Sequence, residues 1–137
     1  MRIGQVAKRA GVNVETIRFY ERKGLIKQPS RHAGGYREYP HDAIARIRFI
    51  KRAKELGFSL TEISELLLLQ ADPRATCGDV KQKAEAKIST IHGRIQDLQK
   101  MKRSLEQLAA TCKGSGPLGD CPIIDCFETH KEQEDEP

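Results

Sequence analysis

The 137-residue sequence predicts a mainly α fold: a helix-turn-helix head with a wing, then one very long helix, then a cysteine-bearing loop and a short helix. Three observations carry that reading. Apolar residues recur at steps of three and four over most of the chain. The breaks between such stretches fall at glycines. Between Gly78 and Thr111 there is no proline, and Gly93 is the only internal glycine. With 38% hydrophobic residues, 31% charged residues and no tryptophan, the buried core should be modest and the helices wet on one face.

The first helix is expected over 3–10, where Ile3, Val6, Ala7 and Ala10 share a face and Gly11 supplies the left-handed stop. Asn13 reads as the N-cap of a second helix that carries Ile17, Arg18, Tyr20 and Glu21 and ends near Lys23, before Gly24. Two short helices across a tight glycine turn make a helix-turn-helix. Pro29, Gly34, Gly35 and the run Tyr36-Arg37-Glu38-Tyr39 predict two brief strands around a turn, a wing. Asp42 should open a third helix with Ile44, Ile47, Phe49, Ile50, Ala53 and Leu56 inside it, closed by Gly57. Ser59 and Glu62 have capping-box spacing at the start of a fourth, through Ile63, Leu66 and Leu67.

The long helix is the feature with the strongest consequence. Val80, Ala84, Ile88, Ile91, Ile95, Leu98, Met101, Leu105 and Leu108 form a heptad-like seam along it, interrupted once at Leu98 to Met101. A helix of that length reaches about 50 Å, beyond the diameter of a small head. A second copy of the chain would cover the seam, so a homodimer is expected; the alternative is a helix folded back on its own head. The expected division is a DNA-binding head over 1–70, a linker over 71–77, a dimerisation helix over 78–111, a metal-binding loop and short helix over 112–128, and a disordered acidic tail over 129–137.

Charge divides the chain as well. Residues 1–60 hold 14 Lys/Arg against 5 Asp/Glu, a net of +9, whereas residues 61–137 hold 10 against 14, a net of −4. A head that basic suits a polyanion, because phosphate contacts release condensed counterions. The plainer alternative is a solubilising surface. The N-terminal residues contain no apolar targeting core, and the longest aliphatic run, Leu66 to Leu69, is too short for a bilayer. A soluble, cytoplasmic protein is expected, and in a reducing compartment its four cysteines read as metal ligands or redox thiols before disulfides.

Thr16 and Arg18 of the second helix are the candidates for base or phosphate contact, with the Tyr20 hydroxyl reaching a phosphate and Tyr36 and Arg37 of the wing meeting the backbone. Each has a competing structural role: wing packing for Tyr36 and Tyr39, a helix-surface ion pair for Arg18. Cys77 and Cys112 stand at opposite ends of the long helix, about 50 Å apart along it, so one chain cannot place both on one ion. If two such helices pair antiparallel, Cys77 of one subunit approaches Cys112 and Cys121 of the other. The glycine-rich loop from Cys112 to Cys121 is long enough to curl around an ion. Three thiolates select soft ions such as mercury, cadmium and lead over borderline zinc. Three unligated buried cysteines are the competing reading, and Cys126 is a further candidate ligand or a small packing residue. His32, His41, His92 and His130 read as surface residues.

The segments RIGQVAKRAGVNVETIRFYERKGLI, GGYREY and RIRFIKRAKELGFSLTEISELL, with Cys77, Cys112 and Cys121, resemble the MerR family of metal-responsive transcription regulators from about Arg2 to Cys126. AGVNVETIRFYERKGL, GFSLTEISELL and the spacing of Cys112 to Cys121 followed by Pro-Ile-Ile are most similar to its mercury(II)-responsive branch. The resemblance implies a winged-helix head, an antiparallel two-helix coiled coil, and an ion held by Cys77 of one subunit with Cys112 and Cys121 of the other. It implies binding to palindromic promoter DNA, repression without metal, and activation by untwisting and bending the duplex so that RNA polymerase engages. Cys77 stands where the family's monovalent-ion sensors carry serine, which points to a divalent ion. Lys113 stands where zinc sensors have an adjacent second cysteine, and Cys126 departs from the simplest mercury pattern. Hg(II) leads, with Pb(II), Cd(II) and Zn(II) as alternatives. A thiol redox regulator built on Cys112 and Cys121 remains a competing class. A drug-binding regulator lacks the residues for a large apolar domain, and no nucleophile with a plausible base or phosphate loop suggests an enzyme.

Overall fold

A computed structural model describes residues 1–31 and 33–129; His32, His130 and the rest of the acidic tail lie outside the described residues. The described chain is helical: α1 Ile3–Ala10, α2 Val14–Arg22, α3 Asp42–Glu55, α4 Leu60–Ala71, α5 Cys77–Thr111 and α6 Pro122–Thr129, with a single 3-10 turn at Leu118–Asp120. Two compact units divide it, Met1–Lys87 and the residues from Ile88 onward.

In the first unit, local rules set the helix ends. Gly11 closes α1 at φ 74°, a left-handed conformation that a β-carbon would strain. Asn13 caps α2, its Oδ1 accepting from the Thr16 backbone N–H at 2.8 Å. Ser59 and Glu62 form the complete capping box at α4, with bonds of 2.8 Å and 3.2 Å. Helix α3 lies against α1, and two of its cations hold the turn: Arg48 donates to the Arg9 carbonyl at 2.8 Å and Lys51 to the Gly11 carbonyl at 2.9 Å. Those carbonyls end α1, where the helix dipole favours positive charge. Val6, Ile17, Ile47, Ile50 and Ile63 are fully buried, one or more from each of α1 to α4, so a single core fixes the orientation of α2.

The wing departs from expectation. Among the described residues there is no strand, and the two predicted ones reduce to an isolated antiparallel bridge between Arg31 and Arg37. A two-stranded ribbon with no third strand to pair on is marginal, and Pro29, Gly34 and Gly35 remove side chains and a donor from this one. The segment is held by side chains instead. Tyr39 is buried in the core, and its hydroxyl donates to Glu21 Oε1 at 2.9 Å. Arg2 sits 3.8 Å over the Tyr36 ring.

Helix α5 begins one residue before the expected 78 because Thr76 and Asp79 cap it reciprocally: the Thr76 N–H donates to Asp79 Oδ2 at 2.8 Å, and the Asp79 N–H to Thr76 Oγ1 at 3.3 Å. Cys77 is thereby the first helical residue, and it is exposed. Val80, Ile88, Ile91, Ile95, Leu98, Met101 and Leu105 all stand exposed along α5 and Leu108 is half-buried, so most of the predicted seam is uncovered within the described chain. No described helix is long and apolar enough to cross a membrane.

Two ion pairs tie the first turns of α5 to α4. Lys87 is the single buried charged residue among those described; its Nζ donates to Glu62 Oε1 at 2.8 Å and lies 5.6 Å from the Phe58 ring. Lys83 donates to Glu65 at 2.6 Å beside it. The Lys87 ammonium, and after it the Ser59 N–H, lower the Glu62 carboxyl from its ordinary 4.5 to about 2. A depressed carboxyl pKa contributes stability that is present above pH 4.5 and lost as pH falls from there toward 2. Wild type is therefore expected to melt above Glu62→Gln at pH 6, with the gap narrowing by pH 3. Thermal melts followed by circular dichroism check this, and a gap that stays constant would contradict it.

Candidate nucleic-acid interface and metal centre

Helix α2 presents its exposed side through Glu15, Arg18 and Arg22 while Ile17 faces the core. Arg18 is exposed, as a groove-reading side chain must be, and Thr16 is half-buried. The Thr16 hydroxyl donates to Asn13 Oδ1 at 2.8 Å, which leaves it as an acceptor toward a ligand. Tyr20 stands differently. It is 4% exposed, its hydroxyl is pushed toward higher pKa by burial, and its ring belongs to the core. Its place three residues after Ile17 puts it on the inward face, so the expected reach of its hydroxyl to a phosphate is not supported by this packing.

Tyr36 and Arg37 are half-buried and flank a cleft of about 550 Å³ with Arg18, Glu21, Arg22, Gln28, Arg31 and Tyr39. With the Gln28 amide oxygen turned toward it, the Arg37 guanidinium donates there at 2.8 Å and 3.0 Å. Arg31 donates to the Gly35 carbonyl at 3.0 Å, which folds the turn. The sequence reading named Arg18 and Arg37 but missed Arg22 and Arg31. Arg22 could have been found, since it lies four residues after Arg18 on the same helical face.

The cysteines of the second unit gather around the loop that follows α5. Cys112 comes directly after the helix and Cys121 directly before α6, both partly exposed, and both line one cavity of about 520 Å³ with the loop residues between them. The Gly114 N–H donates to Cys112 Sγ at 3.4 Å. Cys121 sits as the cap of α6, and the N–H groups of Ile124 and Ile123, with the Cys112 thiol adding to them, lower its pKa. Amides at a helix start favour an anionic sulfur, the form that binds a metal. The sequence foresaw two thiols on one glycine-rich loop; it did not show that α6 would begin at Cys121 and aim its amides there. Cys126 lies within α6, partly exposed. Among the described residues of one chain no group of three or more His, Cys, Asp or Glu is placed to hold an ion. His41 and His92 are exposed.

Comparison with known proteins places these features in a family. The sequence model of the MerR HTH family regulatory proteins matches residues 1–70, and that of the MerR DNA-binding region matches residues 44–108. A mercuric resistance operon regulatory protein of Bacillus cereus is 44% identical over 124 residues, covering 90% of this chain and 94% of that protein. The HTH-type transcriptional regulator CueR of Salmonella typhimurium is 41% identical over 125 residues, covering 91% and 90%. Among solved structures, a transcription regulator of Ralstonia metallidurans CH34 in complex with lead(II) superposes with a TM-score of 0.83 at 33% identity, over 93% of this chain and 98% of that one. Its relatives are DNA-binding regulators, not enzymes. The helix-turn-helix head, the long α5 and the matches along nearly the whole chain lead to one conclusion: this protein belongs to the MerR family of helix-turn-helix transcription regulators.

Proposed function

We propose that this chain is a cytoplasmic metal-responsive regulator that binds palindromic promoter DNA as a homodimer, represses without metal, and activates transcription by RNA polymerase when mercury(II) is bound. The observation that carries the metal reading is the shared cavity of Cys112 and Cys121, with backbone amides aimed at Cys121. Two soft thiols with donors that favour their anionic form suit a thiophilic ion, and a soft divalent ion gains from a third. Cys77, exposed at the first turn of α5, is the third in an antiparallel dimer, supplied by the partner subunit. Cys126 stands by as a further donor one and a half turns along α6. Pb(II), Cd(II) and Zn(II) are the competing ions; the relatives' names divide among mercury and lead for those that name a metal.

At the DNA, Thr16 and Arg18 would meet the groove, and Tyr36 and Arg37 the backbone. A change of dimer geometry on ion binding would then act on the duplex as a deformation whose cost depends on sequence, so that the promoter is switched without new base contacts.

Competitive titration of the reduced protein with Hg(II), Pb(II) and Cd(II), followed by thiolate charge-transfer absorption, tests the assignment. Cys77→Ser is expected to weaken mercury binding by about a hundredfold, roughly the share of one ligand in a thiolate site. Mercury binding unweakened by that change would overturn the three-thiolate site. A second reading is favoured by one contact, the Cys112 thiol against that of Cys121. A redox regulator would close a disulfide there, and it predicts that oxidant without metal changes promoter output.

A further inference from the structure

The arginine cleft contains a residue that the DNA reading leaves unexplained. Only 5 acidic residues occur among the first 60, and one of them, Glu21, stands in the wall that also carries Arg18, Arg22, Arg31 and Arg37. Its Oε1 is fixed by the Tyr39 hydroxyl, and its Oε2 is buried and accepts no bond from any described residue. An acceptor held there without a donor costs free energy unless a nearby cation answers it electrostatically. Arg18, one helical turn earlier, and Arg37 both act on the Tyr39 hydroxyl that Glu21 holds, which puts their charges within reach of the carboxylate.

We propose that Glu21 is a specificity-determining counter-charge in a phosphate-binding cleft: it offsets one of the four arginine charges and so limits capture of DNA of any sequence. This rests on the reading of α2 and the wing as the DNA face. Phosphate contacts position a protein on any duplex, whereas base contacts select the site. Lowering the first term leaves the second as a larger share of the total, and residence on non-operator DNA falls. Tyr39, itself buried, keeps the carboxylate in place while contributing no charge of its own.

The experiment is a salt titration of the full-length protein binding a fluorescent 30-base-pair duplex of random sequence. Neutralising one more phosphate steepens the logarithmic salt dependence by about 0.9, which is about tenfold in affinity between 1 M and 0.1 M salt. Glu21→Gln is expected to steepen the slope by about one unit per subunit and to tighten binding at 0.1 M by about tenfold for each subunit that contacts the duplex. Arg22→Gln should flatten it by a similar amount, and the double variant should return it to the wild-type value. Tyr39→Phe, which removes the hydrogen bond but keeps the charge, should leave the slope unchanged. If Glu21→Gln does not fold, Arg22→Gln still decides: an unchanged slope overturns the cleft. A slope that Glu21→Gln does not steepen, or that Tyr39→Phe steepens equally, overturns the counter-charge. Arg18→Ala and Arg37→Ala separate the two readings, because binding that neither weakens would remove the DNA face itself.

Discussion

A chain carrying Leu98→Asp and Leu105→Asp is expected to sediment as a monomer and to lose promoter affinity by at least about a hundredfold. The argument begins from exposure. Both leucines stand more than half exposed on α5, at 62% and 56%, within a row that also holds Ile88, Ile91, Ile95 and Met101. Burying a leucine contributes about 1.5 to 3 kcal/mol, and a two-fold pair counts each position twice, so the four lost side chains forfeit about 6 kcal/mol or more. Placing carboxylates in that seam adds a desolvation cost. A monomer then binds one half-site at a time, without the effective concentration that a linked second head supplies. The core of Val6, Ile17, Ile47, Ile50 and Ile63 belongs to the first unit, so cooperative melting of the head should survive. Sedimentation velocity and fluorescence anisotropy read the two effects. A dimer that persists would mean that α5 is not the interface. If α5 instead folded back on its own head, the same changes would lower the melting temperature of a chain that was monomeric from the start.

What could be read from the sequence was governed by range. Gly11, Asn13 and the Ser59 to Glu62 box act within four residues, and the helix ends fall where these local rules put them. The seam was equally legible, because its period is a property of the sequence and needs no partner to be seen. Interactions between distant positions were not. Nothing in the spacing of Glu62 and Lys87 shows that their side chains meet at 2.8 Å, and nothing in Arg18, Arg22, Arg31 and Arg37 shows that they wall one cleft. The packing of Tyr20 was illegible for a different reason. An amphipathic side chain suits both the groove and the core, and only tertiary packing decided for the core. The two strands expected in the wing reduce to one bridge because strand propensity in Tyr36 and Tyr39 counts for little without a third strand. At the metal centre, the cysteine spacing suggested a loop that curls, while the amides that make Cys121 acidic follow from where α6 starts.

Cys112→Ser and Cys121→Ser should each abolish the transcriptional response to mercury(II), and each should weaken binding of the ion by about a hundredfold or more. Structural metal sites with four ligands release about 10 to 16 kcal/mol, near 3 per ligand, and a serine hydroxyl does not ionise to replace a thiolate. Cys121→Ser is the more informative change because serine is itself a favoured helix cap. It can accept from the Ile123 and Ile124 amides as the sulfur does, so α6 should keep its start while the soft donor is gone. Unfolding of the loop would then not explain a lost response. Cys126→Ser serves as the contrast. It lies inside α6, away from the helix start whose amides face Cys121, so mercury affinity should stay within about threefold, well under the share of one ligand. Titration of each reduced variant, paired with a promoter-reporter assay, reads both quantities. Should Cys126→Ser prove as damaging as Cys121→Ser, α6 would be contributing two sulfurs, and the ion would sit against that helix without needing Cys77 from the partner subunit.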